Sequence, residues 1–165
     1  ALVVGDALAM TLMKMRNFNP EQFAMVHPGG LLGKRLLTKV SDIMRTGENN
    51  PVIGSTETVR NMLYEISSKR CGAVSVVDEQ GNLAGLVTDF DVRNFLEQES
   101  DFFSRTIPEI MNSNPTHILS NEKAVTALDI MENRERPFMV LPVLDPTSLK
   151  VVGMVHVHDL VSLGL

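Results

Sequence analysis

The chain has 165 residues, of which 44% are hydrophobic and 21% charged, a composition that supports a packed core and excludes disordered and collagen-like classes. A net charge of −5 and the lack of Trp argue against a nucleic-acid-binding surface, and a single cysteine excludes a disulfide framework and a cysteine-built zinc site. No apolar run approaches the ~18 residues of a membrane span and no signal peptide opens the chain, so we expect a soluble, cytoplasmic protein without membrane partners.

The first predicted element is a helix. Leu8, Leu12 and Met15 have the i, i+4, i+7 spacing of an apolar helical stripe. Because this stripe begins close to a first residue that is not methionine, we expect the chain to be the downstream piece of a longer protein. Residues 1–40 carry a net charge of +3 and residues 41–165 a net charge of −8, and this shift predicts a domain boundary between them.

After residue 40 the sequence repeats itself. SDIM at 41–44 returns as PEIM at 108–111, and GLVTDFD at 85–91 returns as GMVHVHD at 153–159. Between these anchors each copy has a segment with helical apolar spacing, then two apolar runs separated by turn residues, then a short helix. The helices are predicted at 59–66, 89–97, 124–131 and 157–163, and the strands before the turns at 73–77 and 138–144.

Each copy is therefore predicted to be a β-α-β-β-α unit of about 60 residues, a size at which a hydrophobic core is marginal. Two such units packed sheet to sheet bury apolar faces that neither could bury alone. The sequence predicts an α+β fold in which two repeats form a pseudo-twofold pair.

A β-α-β-β-α unit that ends in Gly-apolar-apolar-Thr-x-x-Asp and a helix resembles the cystathionine-β-synthase-type (CBS) repeat, which occurs in pairs. The preceding stretch at 5–37 resembles the end of a sugar isomerase (SIS) domain, and this order of parts is similar to the arabinose-5-phosphate isomerases. The resemblance implies a helical SIS tail at 1–40 followed by CBS repeats at 41–105 and 106–165. It also implies a homo-oligomeric parent enzyme that interconverts ribulose 5-phosphate and arabinose 5-phosphate, which feeds synthesis of the lipopolysaccharide sugar Kdo.

The string VHPGGLLGKR at 26–35 does not fit a phosphate-binding P-loop, because the spacing of its glycines is too short and Arg35 follows Lys34. One interpretation is a tight turn built on Pro and Gly. The other is that His27 moves protons, since the imidazole pKa suits that task. In the resembled family the His of this string belongs to the catalytic site of the isomerase. Because the rest of that site would lie upstream, this chain alone is not expected to be active.

Thr88 and Asp91 also have two compatible interpretations. A Thr followed three residues later by an acid at a helix start is a capping-box pattern. A strand end that leads into a helix N-terminus can also hold a phosphate, and a carboxylate can accept hydrogen bonds from ribose hydroxyls. In nucleotide-binding CBS repeats, the Thr and the Asp of this motif take those ligand-binding roles.

The second copy keeps the acid as Asp159 but has His156 in place of Thr88. The exchange of a small hydroxyl for an imidazole argues against an ordinary adenosine site in this copy. His156 and His158 are two residues apart, which on a strand places them on opposite sides and disfavours a metal site. We expect one of them to line the cleft between the repeats and the other to face solvent.

The expected ligand is a nucleotide-type metabolite in that cleft, held by Thr88 and Asp91 and bordered by His156 and Asp159. The pathway implied by the resemblance makes CMP-Kdo the first candidate. Two alternatives stay open, an energy sensor that binds AMP or ATP and a structural module that only dimerises. Nothing in the sequence requires a metal or an organic cofactor.

Overall fold

The computed structural model describes residues 2–19, 36–98 and 101–164, together with Gln22, Gly30 and Gly33. The predicted N-terminal helix is confirmed as α1 (Leu2–Met15), and none of its side chains is buried. His27 lies outside the described residues, so its proposed role in a parent enzyme stays a prediction. Among the helices that are described, none is long and apolar enough to cross a membrane.

The first repeat folds as predicted. Helix α2 begins after Thr58, whose side chain accepts a hydrogen bond from the Asn61 backbone N–H, and it ends at Arg70 in the left-handed conformation, a common way to stop a helix. In the sheet the order is β1 (Val52–Gly54), β2 (Ala73–Val77), β3 (Leu83–Thr88), with β1 parallel and β3 antiparallel to β2. The elements are β1 (Val52–Gly54), α2 (Val59–Lys69), β2 (Ala73–Val77), β3 (Leu83–Thr88) and α3 (Asp89–Gln98).

The second repeat has the same order of elements. A short helix precedes it, and its three strands pair as β4-β5-β6 with the same parallel and antiparallel relations. The elements are α4 (Ile107–Ile110), β4 (Ile118–Leu119), α5 (Ala124–Glu132), β5 (Val140–Leu144), β6 (Val151–His156) and α6 (Val157–Ser162). The predicted pair of β-α-β-β-α units is confirmed.

The segment before the first strand of each repeat packs against the other repeat, so the two segments are exchanged. Val40, Ile43 and Met44 pack into the core of the second repeat, whereas Ile107 and Ile110 pack into the core of the first. Each exchanged segment also pairs with the last strand of the repeat that receives it: the Arg45 N–H donates to the Met154 carbonyl at 2.8 Å, and the Leu86 N–H donates to the Asn112 carbonyl at 3.0 Å. The repeats therefore complete each other's cores.

The two sheets meet in a small apolar cluster. It contains residues from both repeats, with Ala73 and Leu86 on one side and Val140 and Met154 on the other, and these pairs occupy matching places in the two copies. Cys71 belongs to the same cluster, and burial raises the pKa of its thiol to about 11, so it is a packed side chain rather than a nucleophile. Sheet-to-sheet packing around a pseudo-twofold axis is thus confirmed.

Candidate functional site

A cleft of about 840 Å³ lies between the two repeats. The end of β3 and the start of α3 form one wall, and residues 136–140 before and within β5 form another. Thr88, Asp91 and His156 all line this cleft. Three of the four ligand-binding residues predicted from the sequence are thereby brought together.

Thr88 and Asp91 form a reciprocal cap at the start of α3. The Asp91 Oδ2 atom accepts from the Thr88 backbone N–H at 2.8 Å and from the Thr88 hydroxyl at 2.6 Å. The Thr88 Oγ1 atom in turn accepts from the Asp91 N–H at 3.3 Å. This network restrains the Asp91 carboxylate, which lines the cleft.

The cleft also has exposed apolar and cationic side chains. The sequence pattern points to Arg136 alone among them, because it precedes the second strand of its repeat as Lys69 does in the first, where a cation can reach a phosphate; Phe90, Met139 and Arg93 were not expected. Phe90 and Met139 line it with 64% and 59% of their surface exposed, and an exposed aromatic face is suited to stacking on a nucleobase. Arg93 and Arg136 line it as well and are exposed. Their guanidinium groups match the geometry of a phosphate. Phe90 is one of the two residues inside the Thr-x-x-Asp motif and Arg93 follows Phe90 by three positions, a spacing that puts both on one face of a helix.

His156 caps α6 and faces the cleft. Its Nδ1 atom accepts from the His158 backbone N–H at 3.0 Å, so in the neutral ring the remaining nitrogen, Nε2, carries the proton and can donate. Burial lowers the pKa of His156, and the nearby Arg45 lowers it further, while Asp159 opposes both. His158 is exposed. Within the described ranges, no cluster of three or more His, Cys, Asp or Glu side chains could hold a metal ion.

Asp159 is separated from the other three residues. Its Oδ2 atom accepts from the Arg45 Nε–H at 3.0 Å, and its Oδ1 atom lies 3.5 Å from Arg45 Nη2. It does not line the 840 Å³ cleft. Arg45 lines a smaller cleft of about 380 Å³ with Met44, Thr46, Asn49 and Lys69. No local pattern predicts this ion pair, because its partners are 114 residues apart in the chain.

The doubled β-α-β-β-α unit, its exchanged flanks and the cleft between its repeats define a module of two paired repeats. A CBS domain family model matches residues 40–98 and 107–165. The chain belongs to the CBS domain family.

Similar proteins agree with this assignment. The chain is 42% identical over 164 residues to arabinose 5-phosphate isomerase KdsD of Francisella tularensis subsp. tularensis, and 35% identical to the protein of that name from Escherichia coli K12. In both comparisons 99% of this chain matches 49% of the relative, so the chain spans about half the length of the curated relatives it matches.

Solved CBS pairs share the fold. The CBS domain pair of protein MJ0100, in complex with 5′-methylthioadenosine and S-adenosyl-L-methionine, superposes with a TM-score of 0.66 at 25% identity, over 77% of this chain and 95% of that one. The structure of CBSX2 in complex with AMP superposes with a TM-score of 0.63 at 21% identity, over 77% of this chain and 96% of that one.

Proposed function

We propose that this chain is the regulatory CBS-pair portion of a D-arabinose-5-phosphate isomerase, a cytoplasmic enzyme that interconverts ribulose 5-phosphate and arabinose 5-phosphate for Kdo synthesis. The curated relatives that match 99% of the chain carry that name. Helix α1 supports the proposal, because its apolar side chains are exposed, with Leu2 and Val3 at 81% and 79%. A helix of this kind is expected to pack against a further domain, here the proposed SIS domain.

In this proposal the 840 Å³ cleft binds a nucleotide-type metabolite. The observation that carries it is the grouping of three kinds of contact in one cleft: the fixed Asp91 carboxylate for ribose, Phe90 and Met139 for a base, and Arg93 and Arg136 for phosphate. The MJ0100 CBS pair, crystallised with 5′-methylthioadenosine and S-adenosyl-L-methionine, supports the base and ribose part of such a ligand.

The ligand we propose first is CMP-Kdo, the activated form of the sugar that the parent pathway produces. Kdo is an acidic sugar, and the His156 Nε2–H can donate a hydrogen bond to its carboxylate. A threonine in the place of His156 would be too short to reach that carboxylate. AMP or ATP is the second candidate, because the two molecules bound by MJ0100 share the adenosine part of these nucleotides. A module that only holds subunits together is the third.

A thermal-shift panel tests the proposal. CMP-Kdo, CMP, AMP and ATP are each added at millimolar concentration to the purified chain. At a ligand concentration near 100 times Kd, binding stabilises the folded state by ~2.7 kcal/mol. For a chain of this size that free energy raises the Tm by roughly 5–10 °C. No shift with any of the four would leave the structural module as the function, and a shift with AMP or ATP alone would remove CMP-Kdo as the ligand.

The matched variants are Asp91→Ala and Asp159→Ala. Charge-assisted hydrogen bonds contribute ~1.5–3 kcal/mol each, so Asp91→Ala is expected to weaken binding by roughly tenfold to a hundredfold. Loss of the cap also costs ~1 kcal/mol of stability, which lowers the Tm without ligand and is therefore measured separately. Asp159→Ala removes the matching acid of the second repeat. Because Asp159 does not line the cleft, this variant should keep the ligand-dependent rise in Tm.

A further inference from the structure

The pseudo-twofold symmetry of the pair is broken where the exchanged segments cross the last strands. Asn112 and Arg45 occupy matching places: each ends an exchanged segment, and each pairs through its backbone with the last strand of the opposite repeat. Asn112 lines the open 840 Å³ cleft. Arg45 lines the smaller cleft, together with Lys69, which matches Arg136 of the open cleft.

The side chain of Arg45 is longer than that of its counterpart Asn112, and it joins the two repeats. Arg45 Nε and Nη2 approach the carboxylate of Asp159 at the start of α6. Its Nη1 donates to the carbonyls of Lys69 at 3.2 Å and Arg70 at 3.3 Å, at the C-terminal end of α2. Carbonyls there have no helical partner and carry the negative end of the helix dipole. One guanidinium thus bonds to the first repeat and the second at once.

The ion pair is partly shielded from water. The side chains of Arg45 and Asp159 are 25% and 31% exposed, and the hydrogen bond to Asp159 raises the pKa of Arg45. A pair at this depth is stronger than one on the surface, because solvent screens it less.

Asp159 is the counterpart of Asp91, the acid expected to accept from a ribose in the open cleft. Both of its oxygens face Arg45 at 3.5 Å or less, so the guanidinium already occupies an acceptor position on each oxygen, and a ribose would have to compete with it for this carboxylate. We propose that Arg45 is an internal latch: it occupies the second cleft, closes it to nucleotides, and leaves the pair with one ligand cleft instead of two. The prediction of one bound ligand rests on the proposed function. The bonds of Arg45 to both repeats do not depend on it.

The latch is tested without any ligand by a double-mutant cycle. Arg45→Met keeps the aliphatic stem and removes the charge, and Asp159→Ala removes the carboxylate. Each single variant is expected to lower the Tm by about 2–6 °C, with the circular dichroism spectrum unchanged. The double variant should lower it by no more than the larger single change, because the partners act as one unit. Additive losses, or single variants that melt like the wild type, would overturn the latch.

Titration calorimetry with whichever of CMP-Kdo or AMP shifts the Tm tests the stoichiometry. One ligand per chain is expected, with affinity reduced at least tenfold by Asp91→Ala and unchanged within twofold by Asp159→Ala. Two ligands per chain, or an equal loss in both variants, would overturn the closed second cleft. If no ligand binds, the proposed function fails, and the double-mutant cycle still decides whether Arg45 holds the repeats together.

Discussion

His156 and Thr88 cap matching helices by different chemistry. The Thr88 hydroxyl accepts from the Asp91 N–H at any ordinary pH, whereas the His156 Nδ1 atom accepts from the His158 N–H only while that nitrogen carries no proton. Burial and Arg45 favour the neutral ring and lower the pKa of His156 below its ordinary value of 6.5. The start of α6 is therefore sensitive to pH in a way that the start of α3 is not.

We expect the chain to lose stability through His156 as the pH falls from 7 to 5. Below pH 6.5 the unfolded chain binds a proton that the folded imidazole resists, so the free energy of unfolding decreases as the pH drops. His156→Asn keeps a capping side chain but does not titrate. Its Tm should fall less steeply between pH 7 and pH 5 than the Tm of the wild type.

His158→Asn is the matched control for this measurement, because His158 is exposed and contributes only its backbone N–H to the cap. This variant should keep more of the wild-type pH dependence than His156→Asn does, because the charge of His158 is only the smallest of the causes that shift the pKa of His156. Acidic groups such as Asp78, whose pKa is lowered by its hydrogen bonds with Asn82, affect all three proteins alike. Parallel curves for the wild type and His156→Asn would show that the imidazole does not titrate against folding.

At the scale of the element, β3 and β6 each have a glycine where an exchanged segment crosses. A Cβ on Gly85 would lie 2.9 Å from the Asn112 carbonyl oxygen, and a Cβ on Gly153 would lie 2.8 Å from the Arg45 carbonyl oxygen. Both neighbours are backbone atoms, held in place by pairing with the strand. Only a residue without a side chain lets the two backbones approach so closely.

Gly85→Ala and Gly153→Ala are each expected to lower the free energy of unfolding by about 1–3 kcal/mol, because the added methyl group forces the exchanged segment away from the strand. Urea denaturation followed by circular dichroism measures the change. Gly5→Ala is the control, since Gly5 lies in α1 with nothing within 4 Å of the added Cβ, and it should cause no loss. Equal stabilities for all three variants would contradict the close crossing.

Helices and caps were predictable from the sequence where the residues that define them are close together in the chain. Apolar spacing places α2 and α5, since Met62 and Met131 are fully buried on the predicted faces, and the three-residue spacing of Thr88 and Asp91 predicts the cap. The exchange of Val40 into the second repeat was not predictable, because the backbone partner of its N–H is the Glu122 carbonyl, far along the chain. The separation of Asp159 from the cleft has the same origin, as it depends on the distant Arg45.

At the scale of the whole molecule, the N-terminal region has two parts with different effects on stability. No side chain of α1 is buried, so removal of residues 1–19 should leave the Tm of the remaining chain within about 2 °C. Removal of residues 1–45 also takes Val40, Ile43 and Met44 from the second core. Complete burial of such a side chain contributes ~1.5–3 kcal/mol; Val40 is fully buried, and Ile43 and Met44 are partly buried. We therefore expect this truncation to unfold the second repeat at ordinary temperature.

Thermal melts and amide hydrogen exchange of the two truncated chains check this difference. In the longer truncation, protection should be lost across β5 and β6, while β2 and β3 keep part of theirs through Ile107 and Ile110. Identical melting of the two truncated chains would show that the exchanged segment is dispensable.

The exchange of segments also sets an order for folding during synthesis. The first repeat can close its core once residue 112 has left the ribosome, but Val40, Ile43 and Met44 must wait for strands made much later. Arg45 meets Asp159 only after a further 114 residues, which at 5–20 residues per second is a delay of roughly 6–23 seconds. During that interval the earliest apolar side chains of the pair remain exposed, and they form a segment that a nascent-chain chaperone can bind.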